Sequence, residues 1–511
     1  MSETSGTGAS APRIHRNDYS ELEVPALGAW HPSLTVSVVI PVTHDLDRLD
    51  GVLAMLADQT YPGHLMDVVI VAADGETLKA PDHAPVRTRV VHHDENGPDG
   101  ADAVHTGVRH AHGGVILRLD PRLSIDAEYV EAHMRWHHLA DYLVVVGSVN
   151  PAEDAAKPTW TSPLVEETRN LRDAGDRAYS AAIGPALSWS LDFYGDQGGF
   201  DRGRSLIGDT EFSHRLAQAG AVFVADPEAR GWQAAAETTS ADVERERRIE
   251  PFLRNRLPMR RDWRDGTRRQ WLIPFIEVIV EVNGGSYENV AATIVGALAG
   301  KVDDLIVTIV APWHQLDGHS PDPDDPYTDL RLLREAFRSD SRVRFEEVTP
   351  PVPEGCPFRV TCPPGAVLTP DSLPRLVERI ETDGLGILYL AFQRGTELLI
   401  ARLERTAAVA RAHRLRQAAE DPEDVVSELH GVYWIDGSEW ALTVPGRAAK
   451  PGVPAAQAEL NRWKKEAARL KAEVAQWKTE AQIPFRQRLV RGARRRAGKV
   501  RIIRKLAGKD V

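Results

Sequence analysis

Three short polar clusters stand directly after apolar, β-branched runs: Pro41–His44 after TVSVVI, Asp74–Glu76 after DVVIVAA, and Asp120–Arg122 after VILRL. A carboxylate there can hold a cation or accept from a hydroxyl, and a guanidinium can grip phosphate through paired N–H donors. In open α/β sheets ligands bind just beyond the carboxyl ends of the strands. Pro41, Asp74, Asp120 and Arg122 are therefore candidate binding residues. Plainer readings stand beside them: Asp120 as a turn residue before Pro121, Asp74 with Gly75 as a simple turn, and Arg122 as a solvated charge. The histidines from His92 to His138 do not alternate with carboxylates at ligand spacing, so they do not point to a metal centre.

The elements that must position these groups follow from the apolar period. Thr35–Val42, Asp67–Ala72, Thr88–His92 and Val115–Leu119 read as strands, and Leu46–Leu56 and Ala101–His112 as helices. Such alternation implies a parallel, doubly wound α/β sheet. The pattern then returns, with strands at Phe275–Val282 and Leu305–Ala311, a helix at Tyr287–Leu298, and a late strand and turn within Phe358–Pro370. A helix at Arg402–Leu415 and a hairpin-like stretch, GVYWIDGSEWALTV, follow.

The ordered segments VSVVIPVTHDLDRLDGVLAMLADQTYP, DVVIVAADGE, GVRHAHGGVILRLDPRLSID and GGFDRGRSLIGDTEFSHRLAQAGAVFVADPEA resemble family 2 glycosyltransferases over residues 33 to 235. That resemblance implies the type A glycosyltransferase fold, a nucleotide-sugar donor, and an Asp general base at the start of a helix. Asp209 in IGDTEF matches the base, although its usual acidic neighbour is Gly208. The plain alternative is a carboxylate favoured by the helix dipole. The metal-binding DXD triplet of the family is here Asp120-Pro121-Arg122. The family's later Trp-His is Trp232-Gln233, and its paired Asp after the second strand is Ala73-Asp74. Mg²⁺ or Mn²⁺ is accordingly disfavoured, no metal ligand is assigned, and Arg122 is expected to supply positive charge to the donor phosphates.

The chain of 511 residues is 42% hydrophobic and 27% charged, enough for sizeable cores. Of the net charge of −12, residues 486–511 carry +10 (eleven Arg or Lys against one Asp), leaving the remainder at −22. An acidic body argues against nucleic-acid binding. Cys356 and Cys362 are too few for a disulfide scaffold. The polar start lacks a signal region, and no apolar run reaches the ~20 residues of a spanning helix. Leu460, Trp463, Ala467, Leu470, Val474 and Trp477 follow the a/d rhythm of a coiled coil, a self-association segment over 460–477. Residues 485–509 read as a basic amphipathic helix for an anionic membrane surface.

The expected plan is thus a flexible arm (1–32), a glycosyltransferase-like domain (33–235), a charged helical linker (236–270), a degenerate second copy (271–445), a Pro/Gly linker (446–456), a coiled coil (457–482) and a basic tail (483–511). The expected function is inverting hexosyl transfer from a nucleotide-sugar to a cell-envelope glycan or lipid-linked acceptor, by a cytoplasmic protein peripheral at the inner membrane face. The alternative is a non-catalytic tandem scaffold or binding protein of a polysaccharide assembly complex. Nucleotidyl transfer is disfavoured because no Gly-rich, Arg/Lys phosphate loop follows the first strand.

Overall fold

A computed structural model describes residues 11–443, apart from 43–45, 74–80, 82, 94–99, 151–161, 185, 197–207, 234–239, 265–269, 317–324, 395–396 and 441. The first half of the chain runs β1 (Val36–Val42), α1 (Leu46–Ala57), β2 (Met66–Ala73), β3 (Thr88–His93), α2 (Gly100–Arg109), β4 (Val115–Leu119), β5 (Ser124–Ile125), α3 (Tyr129–His137), β6 (Leu143–Asn150), α4 (Leu164–Glu167), β7 (Ala186–Ser190), α5 (Leu191–Asp196), α6 (Gly208–Gln218) and β8 (Val222–Trp232). After α7 (Ser240–Arg256) come β9 (Ile276–Glu281), α8 (Tyr287–Leu298), β10 (Leu305–Val310), α9 (Thr328–Phe337), β11 (Val343–Glu346), β12 (Phe358–Thr361), β13 (Val367–Leu368), α10 (Ser372–Thr382), β14 (Ile387–Arg394), β15 (Glu397–Arg405), α11 (Thr406–Leu415), α12 (Pro422–Leu429), β16 (Val432–Asp436) and β17 (Leu442–Thr443).

The strands form two large sheets, ordered β3-β2-β1-β4-β7-β6-β8-β5 and β11-β10-β9-β12-β15-β14-β16. Substituting β9 for β1, β10 for β2, β11 for β3, β12 for β4, β14 for β6, β15 for β7 and β16 for β8 turns one order into the other. The directions repeat as well: β4 pairs β7 antiparallel and β6 pairs β8 parallel, as β12 pairs β15 antiparallel and β14 pairs β16 parallel. Only β5 departs, since it joins β8 whereas its counterpart β13 pairs with β17. The expectation of a parallel, doubly wound sheet is therefore corrected to mixed sheets, because β5, β7 and β15 each run antiparallel to a neighbour. The α/β class and the presence of two such sheets stand.

Each central strand is buried on both faces or nearly so, as β-branched runs such as VSVVI require. Val38, Val39, Ile40, Val68, Val69 and Ile70 are all fully buried. α3 is buried throughout despite holding Glu131, His133, Arg135 and His137. In the second half, one face of the sheet packs under α8, α9 and α10 around Val278, Val307, Val360 and Leu390.

Contacts divide the chain into two units, 1–392 with 399–445, and 393–398 with 446–511. Both large sheets lie in the first unit, so the charged 236–270 segment does not separate two bodies. Of the second unit, only the adjoining ends of β14 and β15 lie among the described residues. The coiled coil over 460–477 and the basic tail over 485–509 lie outside them. No described helix is long and apolar enough to cross a membrane.

Three local expectations need correction. The arm is anchored at three residues: Ile14 and Tyr19 are buried, and Asn17 hydrogen-bonds the carbonyls of Leu171 and Phe223, each at 2.8 Å. The arm also reaches the second half, where the Arg16 N–H donates to Leu429 O at 3.0 Å. Arg402–Arg405 continues β15, and α11 begins only at Thr406. Finally, β16 and β17 do not pair as a hairpin; β16 pairs with β14 and β17 with β13.

Candidate active site

β4 lies beside β1, with Val39 paired to Arg118. Two residues on from these stand Pro41, within β1, and Asp120, just past the end of β4. Arg118 and Asp120 are also two apart, which puts them on the same side of the extended chain. Asp74 lies outside the described residues.

Asp120 and Arg122 close a tight turn. The Arg122 N–H and Nε both donate to Asp120 Oδ1, at 2.8 and 3.0 Å, and Nη2 donates to Oδ2 at 2.8 Å. Burial pushes the Asp120 carboxyl up, but the Arg122 hydrogen bonds and the charges of Arg122 and Arg118 outweigh it and hold it below the usual carboxylate range. Arg122 itself remains 45% exposed in its side chain.

Asp209 stands in the first turn of α6, where the helix dipole favours an anion. α6 is seated by buried Phe212 and Leu216 and by the Ser213 hydroxyl, which donates to Ala182 O at 2.6 Å. The Asp209 carboxylate pairs with the Arg118 guanidinium through Oδ1, and Oδ2 receives the Gly184 N–H at 3.3 Å. Gly184 takes φ of +103°, a conformation that L side chains rarely adopt. Arg118 was not among the sequence candidates. Its signal was the alternation in LRLD, which sets it on the same side as Asp120.

β8 brings its end over the same turn: Trp232 pairs with Ser124 of β5, and the Gln233 N–H donates to Asn150 O at 2.8 Å. Behind the site, α3 is locked to β8 by Arg135 and Trp136, which both donate to buried Asp226 Oδ2 at 2.7 Å. These residues hold the frame and do not face the strand ends.

Both oxygens of Asp120 accept from Arg122, the third residue of the triplet. Among the described residues no group of three His, Cys, Asp or Glu could hold an ion. What the arrangement offers is two carboxylates, each held by its own guanidinium, around one strand end. The matching positions of the second sheet offer less. The Asn283 side chain donates to Glu281 at 3.0 Å, His314 pairs with Glu347 at 2.8 Å, and Cys362 is buried with its thiol pushed up to about 12.

Residues 37–184 match the family model described as glycosyl transferase family 2. No curated protein matches the chain by sequence. Among solved structures, residues 1–349 of TarS from S. aureus, in complex with UDP-GlcNAc, align at 16% identity and a TM-score of 0.33, over 44% of this chain and 67% of that one. The mannosyltransferase PcManGT from Pyrobaculum calidifontis, in complex with GDP-Man and Mn²⁺, aligns at 18% identity and 0.32, over 46% and 65%. GalNAc-T7 with UDP, GalNAc and Mn²⁺ aligns at 15% identity and 0.33, over 46% and 52%. This chain thus spans about two thirds of the first two and half of the third.

Proposed function

Starting from a glycosyl transferase family 2 domain at residues 37–184, we propose that this protein transfers a hexosyl group from a nucleotide-sugar to a cell-envelope glycan or lipid-linked acceptor, with inversion. What supports the reading is the ion pair that holds Asp209, in the first turn of α6, to Arg118 of β4, whose charge also acts on Asp120 in the turn that follows that strand. In this reading Asp209 takes the proton of the acceptor hydroxyl. The acceptor oxygen bonds the anomeric carbon, the bond from that carbon to the diphosphate oxygen breaks, and the nucleoside diphosphate leaves with the electron pair. Arg122 neutralises the growing phosphate charge as a guanidinium. A carboxylate has about four lone-pair sites, so the contacts of Asp209 with Arg118 and Gly184 leave it able to accept a proton.

A second reading is favoured by the same ion pairs. Two carboxylates already matched by two arginines suit a domain that binds nucleotide or glycan without turnover and organises a polysaccharide assembly complex. Thermal shift of the full chain against UDP- and GDP-sugars, with Mn²⁺ and with excess chelator, tests donor binding, because a ligand of the folded state raises Tm by linkage. A shift that persists in chelator supports the arginine-held site; a shift that depends on Mn²⁺ overturns it. Release of nucleoside diphosphate then separates enzyme from binder.

The membrane and assembly parts of the proposal rest on the 460–477 heptads and the 485–509 stripe of apolar and basic residues. In this reading the protein works in the cytoplasm, at the inner face of the cell membrane. Co-sedimentation with anionic vesicles, by the full chain and by a version ending at Gln482, tests this. Equal behaviour of the two versions removes it.

A further inference from the structure

The two large sheets repeat each other in strand order, yet their corresponding edges end differently. In the first sheet the outer side of β8 is closed by the arm. Asn17 donates to Phe223 O at 2.8 Å and accepts from Phe223 N at 2.9 Å, and the Tyr19 hydroxyl accepts from Ala225 N at 3.2 Å. β16 is the counterpart of β8 and forms the edge of the second sheet. The Gly431 carbonyl accepts from Gly386 N, on the β14 side, at 2.9 Å. Backbone groups alternate sides along a strand, so Tyr433 and Ile435 also turn to β14, while Val432, Trp434 and Asp436 turn outward. Among the described residues none bonds the outward N–H groups of these three, or the carbonyls of Val432 and Trp434.

Sheet edges commonly carry charges, proline or a bulge that keep other strands away. β11, at the opposite edge of the same sheet, does so with exposed Arg344 and Glu346. β16 pairs with β14 in unbroken register and reads VYWID, with Asp436 its one charge. Trp434 stays 45% exposed, although it stands directly across from Tyr389 and stacks on it, ring centroids 4.3 Å apart and planes at 17°.

A row of open N–H and C=O groups fits another strand. A second copy related by a two-fold axis brings β16 to β16 antiparallel. The register centred on Trp434 uses all three outward positions. There the two Trp434 exchange N–H···O bonds, and each Asp436 N–H meets the Val432 carbonyl opposite. The two Asp436 carboxylates stand at opposite ends, so like charges do not meet. The stack of Tyr389 on Trp434 continues across the axis as a ladder of four rings.

We propose that β16 pairs with β16 of a second copy, antiparallel and centred on Trp434, joining two seven-stranded sheets into one. This surface is separate from the heptads over 460–477, and the assignment does not rest on transfer activity. The experiment is cross-linking between two variants of the full chain, Val432→Cys and Asp436→Cys, co-expressed. In this register position 432 of one copy lies opposite 436 of the other, with Cα atoms about 5.5 Å apart, inside the range a disulfide spans. Two copies of one position lie about 13 Å apart along the strands, too far to bridge. Cys356 and Cys362 are buried and do not compete. Mild oxidation is expected to give a species of twice the chain's mass from the co-expressed pair and none from either variant alone. Adding Trp434→Pro to both is expected to remove it, since proline takes away an outward N–H and leaves the β14 ladder intact; circular dichroism checks the fold. No cross-link in the co-expressed pair overturns the proposal, the result expected if residues beyond 443 cover β16 instead. Cross-linking that survives Trp434→Pro, or that either variant gives alone, also overturns it.

Discussion

Arg118 of β4 and Asp209 of α6, ninety-one residues apart in sequence, form an ion pair in which both side chains are largely shielded from water. Such a pair fixes the helix that carries the carboxylate against the strand that carries the Asp120 turn. Arg118→Ala and Asp209→Asn, made singly and together, should therefore show a coupling energy on the order of 1–3 kcal/mol in chemical denaturation. Strictly additive losses would mean that the pair contributes nothing to positioning.

If Asp209 is the base, Asp209→Asn should leave nucleotide-sugar binding nearly intact while slowing transfer by about 10²-fold or more. The readout is the split between donor Kd and kcat. Full activity in the Asn variant would make Asp209 a structural cap of α6.

Arg122→Ala should weaken donor binding by roughly 1.5–3 kcal/mol, the range of a hydrogen bond to a charged group. The same substitution releases both Asp120 oxygens, so it should also make binding respond to Mn²⁺ where the wild type does not. Isothermal titration with and without the metal checks both effects. Unchanged affinity would leave Arg122 as a partner of Asp120 alone.

Acid should destabilise the first sheet. His133 and His137 of α3 are buried and flank the Ser188 hydroxyl at 2.9 and 2.8 Å. Burial and neighbouring positive charge push both imidazoles down to about 3. In the unfolded chain they titrate near 6.5, so the unfolded state binds more protons below that pH. Their stabilising contribution is full above about pH 6.5 and is lost as pH falls toward 3, each pKa unit being about 1.4 kcal/mol. A His133→Gln, His137→Gln double variant should show a shallower fall of Tm between pH 6.5 and 4. An identical slope would assign the acid lability to other groups.

Arg411 of α11 is fully buried and donates to Gly220 O and Ala221 O, at 2.7 and 2.8 Å, and to the Arg16 carbonyl. Burial lowers its pKa to about 10. Arg411→Met should cost on the order of 3–5 kcal/mol, because several carbonyls lose their donor at once. Denaturant titration measures it, and a loss under about 1 kcal/mol would show that the carbonyls find other partners.

What the sequence revealed follows burial. β1, β2, β4, β9 and β10 were legible within one or two residues because each is an apolar β-branched run buried on both faces, and α8 was read at its observed limits. α3 was not read at all: its Glu, His and Arg residues look like a solvated helix, and their burial depends on partners such as Asp226 and Ser188 that are distant in sequence. β7 escaped because ALSWS is short and half polar, and its antiparallel direction has no local signal. The site shows the same division. Asp120 and Arg122 could be picked out from the end of a strand, but their mutual pairing and the role of Arg118 are products of the fold.

The seat of residues 11–24 sets an order of events during synthesis. These residues emerge early, yet Arg16 bonds Leu429 and Arg13 pairs with Glu420 and Glu428. The seat cannot be complete until α11 and α12 have left the ribosome, about four hundred residues later. At ~5–20 residues per second that is a wait of tens of seconds. The contacts of Arg13 and Arg16 are therefore completed long after those of Asn17 and Tyr19 with the first half become possible.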